Sequence, residues 1–358
     1  MDKKRSAQIL SRVSFLDKLL FAKHLSIMLK SGINIAEAID TLAIQTKSNK
    51  FHEILTQVSI SVKNGQNLAK SLKKHPKIFS EFFISLVEVG EESGTLENSL
   101  TYLAEQLEKE YSLNKKIQGA LLYPSIVLFS VIAVGIGMSF FVLPKLTDLF
   151  NSLNVKLPLT TVILLFFSNL MKNHGIIIIS SFIILIILFR LFIHLPLIRP
   201  YWDRFLLSLP IFGELIQNQQ TSSMCRNLGI MLKSGLPITK ALAIQYESTK
   251  NYIFKDYIKK LQKAVDKGKD MGTELNEGNY SKVSPVAIKM IAVGEKTGKL
   301  DEVFIYLGNF FEEEVDNVAK NLSVVLEPIV LLVIGLAVGF VALAIISPIY
   351  ELTGSIKK

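Results

Sequence analysis

"VGEESGTLENSLTYLAEQLEKE" runs from Val89 to Glu110, and "VGEKTGKLDEVFIYLGNFFEEE" runs from Val293 to Glu314. The two stretches are offset by 204 residues. A second match, "IMLKSG", occupies Ile27–Gly32 and recurs letter for letter at Ile230–Gly235, at an offset of 203. Near-constant offsets over so long a span mean an internal duplication, and the repeat must be read before any single motif in it.

Each copy reads as helices without strands. Phe21, Leu25, Met28 and Leu29 form an apolar stripe at helical spacing, and Met224, Leu228, Met231 and Leu232 repeat it. Leu96, Leu100, Leu103 and Leu107 make a second stripe, copied by Leu300, Phe304, Leu307 and Phe311. Asp17 is read as an N-cap, and Gly32 and Gly235 as helix stops. Glu97, Asp301 and Glu302 sit in first turns, where the helix dipole favours acids. Turn signals at Gly65, His75-Pro76, Gly268 and Ser284-Pro285 divide each copy into five or six helices, an antiparallel bundle.

Each copy then leads into an apolar run. Ser125–Leu143 is nineteen residues without a charge and Ile329–Ile346 is eighteen, both long enough for a membrane helix. Gly175–Leu195 is a third run, with Arg190 placed to snorkel near one end. Pro124 and Pro144 bracket the first run as Pro328 and Pro348 bracket the last. The chain is 49% hydrophobic with a mean hydropathy of +0.38, and carries 40 Lys and Arg against 31 Asp and Glu. Residues 1–117 hold 17 of those basic groups, 190–320 hold 18, and 144–174 hold three. The positive-inside rule therefore places both large segments in the cytoplasm and 144–174 outside; Lys357 and Lys358 run mildly against it. A basic surplus beside apolar spans points to membrane orientation rather than to nucleic acid. The N-terminus "MDKKRSAQIL" has no signal-peptide pattern after it.

The expected fold is an all-α polytopic membrane protein with two homologous cytoplasmic helical-bundle domains and three transmembrane helices. The divisions are an arm at 1–16, a first bundle at 17–123 and a span at 124–144. An external loop at 145–174 and a second span at 175–195 follow. A second bundle at 196–327, a third span at 328–348 and a tail at 349–358 complete the chain. "RPYWDRFLLSLPIFG", Arg199–Gly213, reads either as an interfacial stretch with Trp202 at the headgroups or as a buried entry helix of the second bundle.

The duplicated pattern, "VGExxGxL" followed by a proline-bounded span, resembles the inner-membrane platform proteins of type IV pili and type II secretion systems, the PilC and secretion-F-type proteins. The resemblance runs from about Asp17 to Leu352 and includes "LPLTT" at 157–161 and "LPIFG" at 209–213. It implies a multi-pass protein of the cytoplasmic (inner) membrane, without enzymatic activity, that acts as an assembly scaffold. Its implied partners are a cytoplasmic hexameric assembly ATPase, pilin or pseudopilin subunits, other inner-membrane components of the machine and further copies of itself.

The residues independently offer no catalytic constellation. "GEKTGK" at Gly294–Lys299 is one residue too short for a phosphate loop and lacks the Ser or Thr after its lysine. The five histidines are scattered, with no metal-ligand spacing. The lone Cys225 excludes an intramolecular disulfide. No cofactor, metal or nucleic-acid site is expected; a hard cation at Glu91 and Glu92 has no diagnostic spacing behind it. An oligomeric transporter or channel built from the duplicated unit is the alternative, disfavoured by uncharged spans.

Four groups of residues remain of interest. Gly90, Glu91 and Gly94, with Gly294, Glu295 and Gly298, read first as a tight turn in which Glu caps the following helix or hydrogen-bonds within the turn, and second as a contact with the ATPase. Pro124 and Pro328 should kink helices entering the membrane. Gly135 with Ser139, and Gly335 with Gly339, are small residues at helix-packing spacing, read first as packing within the chain. Glu105, Glu108 and Glu110, with Glu312, Glu313 and Glu314, read either as a solvated face or as a docking strip for a partner.

Overall fold

A computed structural model describes the backbone of residues 13–137, 159–193 and 195–355, with some side chains in 120–192 and 322–355 left out. All regular structure among them is helical. In chain order the helices are α1 (Phe15–Lys30), α2 (Ile35–Gln45), α3 (Asn49–Lys63), α4 (Leu68–Leu72), α5 (Glu81–Ser93), α6 (Leu96–Gly137), α7 (Leu159–Ile193) and α8 (Arg199–Ser208). The second copy supplies α9 (Phe212–Lys233), α10 (Ile238–Ser248), α11 (Tyr252–Asp266), α12 (Met271–Glu277), α13 (Pro285–Thr297) and α14 (Leu300–Ser355). Helices α1 to α6 and α9 to α14 are the two copies, six matched helices each.

The chain divides into two compact units. One holds residues 1–116 and 203–318, and the other holds 117–202 and 319–358. Both repeats, up to Lys116 and Val318, lie in the first unit and share one cluster of buried residues, from Leu19 to Phe311. Helix α10 of the second copy packs on α5 of the first.

Local sequence sets the helix ends. The α1 N-cap is Ser14, three residues before the Asp17 expected from sequence. The Ser14 hydroxyl accepts from the Asp17 N–H at 3.1 Å, and the Asp17 carboxylate accepts from the Ser14 N–H at 2.9 Å. That is a capping box, in which Asp17 is the third helical residue. Asn34, Ser48, Ser80, Asn251 and Ser284 cap α2, α3, α5, α11 and α13 in the ordinary way.

The first repeat is centred on Phe21, Phe51, Phe79 and Phe83, all buried, with ring centroids 5.0–6.3 Å apart. Each such ring contributes about 1.5–3 kcal/mol by leaving water. The equivalent positions in the second repeat are Met224, Phe254, Val283 and Ala287, also buried. Volume lost there is made up by Tyr257 and Tyr280, whose centroids lie 5.1 Å apart. The duplication thus preserves the helices and repacks the core.

The second unit has a different surface. On α7, every side chain from Ile184 to Leu188, then Phe189, Leu191 and Phe192, is more than half exposed. Among the described residues, however, no helix is long and apolar enough to cross a membrane. The uncharged runs 125–143 and 329–346 and the segment 175–195 each include side chains outside the described set. Helix α6 continues through Pro124, and α14 through Pro328 and Pro348. Ser139, Pro144, residues 145–158 and the arm before Val13 lie outside the described residues.

Within Arg199–Gly213, one side chain enters the second repeat as the entry-helix reading expects. Leu207 is buried, whereas Tyr201 is 74% exposed and Phe205 51%. Lys282 donates to the Leu207 carbonyl at 3.2 Å, and Asp203 accepts from the Tyr252 N–H at 2.7 Å, tying α8 to the second repeat.

Candidate functional site

The duplicated turn is built from two glycines with different duties. Gly94 closes α5 in the left-handed region (φ 70°), and Gly298 closes α13 at the same angle. The Thr95 N–H donates to the Gly90 carbonyl at 2.8 Å, and the Lys299 N–H donates to the Gly294 carbonyl at 2.8 Å. This is the six-to-one bond that satisfies a helix C-terminus when the residue after the cap has positive φ. Gly90 and Gly294 serve closeness instead. A Cβ on Gly90 would stand 2.8 Å from the Leu96 Cα, and one on Gly294 would stand 2.8 Å from the Val303 Cγ2. The next helix therefore folds back directly against α5 and α13.

The glutamate between these glycines reaches backward along the chain. Glu91 accepts from the N–H groups of Leu68 and Ala69 at 2.5 and 2.8 Å. Glu295 accepts from those of Met271 and Gly272, both at 2.7 Å. Each carboxylate thus caps the N-terminus of a short helix, α4 or α12, that lies more than twenty residues earlier. Sequence reasoning placed the glutamate's bonds on the helix that follows or within the turn, and the structure places them on an earlier helix. Asn67 and Asp270, in the N-cap positions of α4 and α12, make no side-chain cap bond. The distant glutamate replaces the local cap, so α4, α5 and the start of α6 are fixed to one another. Among the described residues no three His, Cys, Asp or Glu side chains gather as metal ligands, and Glu91 and Glu92 are not part of such a group.

Two members of the acidic strip are engaged in ion pairs that the duplication repeats. Lys23 pairs with Glu108 at 2.9 Å in the first copy, and Arg226 pairs with Glu312 in the second. Lys23 and Arg226 occupy equivalent positions, so each pair joins the first helix of a repeat to its last. Lys23–Glu108 is solvent-exposed, whereas Arg226 is only 8% exposed. Lys109 of the first repeat also reaches across to Glu312 at 3.4 Å and to Asn309 at 2.7 Å. Lys116 pairs with Asp316 one turn further on. Glu105 and Glu313 are exposed, and Glu314 is partly so. Burial pushes the Glu110 carboxyl up from its ordinary pKa, and Lys250 and Lys18 pull it back. Its accessible surface faces a cavity between the repeats, so the group is both surrounded by protein and open to solvent.

A Cβ on Gly135, Gly335 or Gly339 would meet no described atom within 4 Å. Cys225 is fully buried, and burial pushes its thiol up to about 12.

The family described as "Type II secretion system (T2SS), protein F" matches residues 21–144 and again 224–348. The chain belongs to this protein F family. Both matched segments end where the second proline of each apolar run stands, and both contain the glycine–glutamate turn. Among curated members, the "Type IV pilus assembly protein PilC" of Thermus thermophilus is 31% identical over 341 residues, covering 95% of this chain and 84% of that one. The protein of the same name from Myxococcus xanthus is 30% identical over 342 residues, covering 95% and 81%. The "Type II secretion system protein F" of Pseudomonas aeruginosa is 30% identical over 336 residues, covering 94% and 82%. Pilus-assembly and secretion members of the family are thus about equally similar to it.

Proposed function

We propose that this protein F family member is the inner-membrane platform on which a type IV pilus or a type II secretion filament is assembled. The observation that carries this reading is the match to pilus-assembly and secretion relatives over nearly the whole chain, repeat by repeat. The helical unit formed by both repeats is the cytoplasmic part, and it receives a hexameric assembly ATPase. The segments 124–144, 175–195 and 328–348 cross the bilayer and meet the pilin or pseudopilin subunits. Support for a lipid environment comes from α7, which is apolar on all sides over Ile184–Phe189 and exposed there, with Arg190 following at its end. A helix of that kind belongs in a protein core or a membrane. The small residues Gly335 and Gly339, four apart on α14, suit the close approach of a helix from another subunit. The chain carries out no reaction of its own, and the ATPase supplies the work.

Deleting the gene tests the reading. Cells should lose the surface filament, or the secreted cargo, while the filament subunit persists in the inner membrane. Normal filaments and normal secretion in the deletion strain would exclude the platform role.

A further inference from the structure

The two repeats meet through unlike faces. Helix α5 of the first copy packs on α10 of the second, so the first copy offers its α5–α6 side and the second its α9–α10 side. The Lys233 ammonium of α9 stands over the Tyr102 ring of α6, 5.2 Å from its centroid, a cation–π contact between the copies. Ile230 sits three residues before Lys233 and so lies on the same side of α9. Burial raises the pKa of Glu110 in the first copy, and Lys250 of the second draws it back.

A contact between unlike faces uses one face of each copy. The duplication gives both faces to both copies, so the α1–α2 side of the first and the α13–α14 side of the second stay open. Burial at equivalent positions follows this division. Ile230 is 7% exposed and its equivalent Ile27 54%; Leu236 is 4% exposed and its equivalent Ile33 37%. On the other side Phe82 is 6% exposed and its equivalent Val286 50%, and Val293 and Tyr306 are more than half exposed. The groups that join the copies are nevertheless kept. Lys30 and Tyr306 are the equivalents of Lys233 and Tyr102, and Lys47 and Glu314 are those of Lys250 and Glu110. Lys30, Lys47 and Glu314 form no ion pair among the described residues. Exposed apolar groups gathered on one face mark an interaction site, and a contact between unlike faces can repeat from chain to chain.

We propose that a second copy of this chain docks head to tail, the α13–α14 face of one chain covering the α1–α2 face of the next, with Tyr306 under Lys30 and Glu314 beside Lys47. The junction repeats the contact already made within the chain, so it rests on the shared helical unit and not on the platform reading. One contact is not repeated. Lys109, which reaches Glu312 and Asn309 within the chain, has Glu313 as its equivalent, and the residues Glu313 would meet are Glu108 and Glu105. Like charges there make the junction between chains weaker than the one within a chain.

The test is sedimentation equilibrium of the full-length protein in detergent. The wild type should associate reversibly as its concentration rises. Ile27→Glu and Val293→Glu, both at exposed positions where the fold tolerates a charge, should each weaken association at least tenfold. An equimolar mixture of these two variants should associate more tightly than either alone, because one keeps a sound α13–α14 face and the other a sound α1–α2 face. Glu313→Lys, which restores the lysine of the first copy, should strengthen association several-fold. A wild type that stays monomeric at every concentration would overturn the proposal. Association that neither glutamate variant weakens would overturn it and place the contact in the apolar segments. Loss in only one of the two, or a mixture no tighter than its components, would overturn it in favour of a symmetric contact. Association unchanged by Glu313→Lys would overturn it as well, since that lysine would then face neither Glu105 nor Glu108.

Discussion

Replacing Glu91 with alanine should destabilise the shared helical unit severely for a partly buried residue. The carboxylate is the only side-chain cap of α4 among the described residues, accepting from Leu68 and Ala69 at 2.5 and 2.8 Å. Leu68 is fully buried and Ala69 is 6% exposed, so water reaches their N–H groups poorly once the carboxylate is gone. A buried donor left unsatisfied costs about 1–3 kcal/mol. Two donors, with partial access through the space vacated by the side chain, give about 2–4 kcal/mol. For a unit of this size each kcal/mol lowers Tm by about 2–4 °C. The expected fall is therefore roughly 4–16 °C, read by thermal unfolding of the full-length protein in detergent. Glu91→Gln keeps one acceptor oxygen and should lose about half as much. Glu295→Ala should behave alike, because Met271 and Gly272 are capped in the same way. A fall below about 1 °C for both alanine variants would refute the capping argument. Native stability together with lost assembly would assign the glutamates to partner contact instead.

Other expectations follow from the same geometry. Gly90→Ala should destabilise by about 1–3 kcal/mol in urea unfolding, since its methyl would stand 2.8 Å from the Leu96 Cα. Arg226→Ala leaves Glu312 with only the half-exposed Lys109 and should cost about 3 kcal/mol, against less than about 1 kcal/mol for Lys23→Ala at the exposed pair. Glu110 has a raised folded pKa, so its protonated form favours the folded state. That contribution is complete below the unfolded pKa and is lost as pH rises through the folded one. Glu110→Gln should therefore raise Tm at pH 7 relative to wild type and lose that advantage in acid; an advantage that persists undiminished in acid would contradict the burial argument. Cys225 should resist maleimide in intact protein, so a cysteine introduced at Asn151 can be labelled alone. Labelling from outside intact inner-membrane vesicles of native orientation would support the proposed topology, and labelling only from the cytoplasmic side would reverse it.

Much of this was legible in sequence because the duplication checks each reading against its copy. The helical stripes recur with their periodicity, and Gly94 and Gly298 announce turns that only glycine makes comfortably. What was not legible depends on distance along the chain. Asp17 has the composition of an N-cap, but Ser14 three residues earlier closes the box with it. Glu91 reaches back to α4 over 23 residues, and no local spacing marks such a contact. Lys109 and Glu312 meet across the two copies, so comparing the copies with each other could not find them. The equivalent positions of Lys23 and Arg226, and of Glu108 and Glu312, were a signal that could have exposed the intra-repeat pairs. The cavity between repeats left no sequence signature, since its lining is drawn from helices of both copies.

The platform role itself is tested most directly by isolating the tagged protein from its own membranes in mild detergent and identifying what accompanies it by mass spectrometry. Stoichiometric recovery of a hexameric ATPase together with a pilin-like subunit is the predicted result. A preparation free of both, under conditions that keep other inner-membrane complexes intact, combined with solute flux by the purified protein in liposomes, would contradict it and make the chain a transporter.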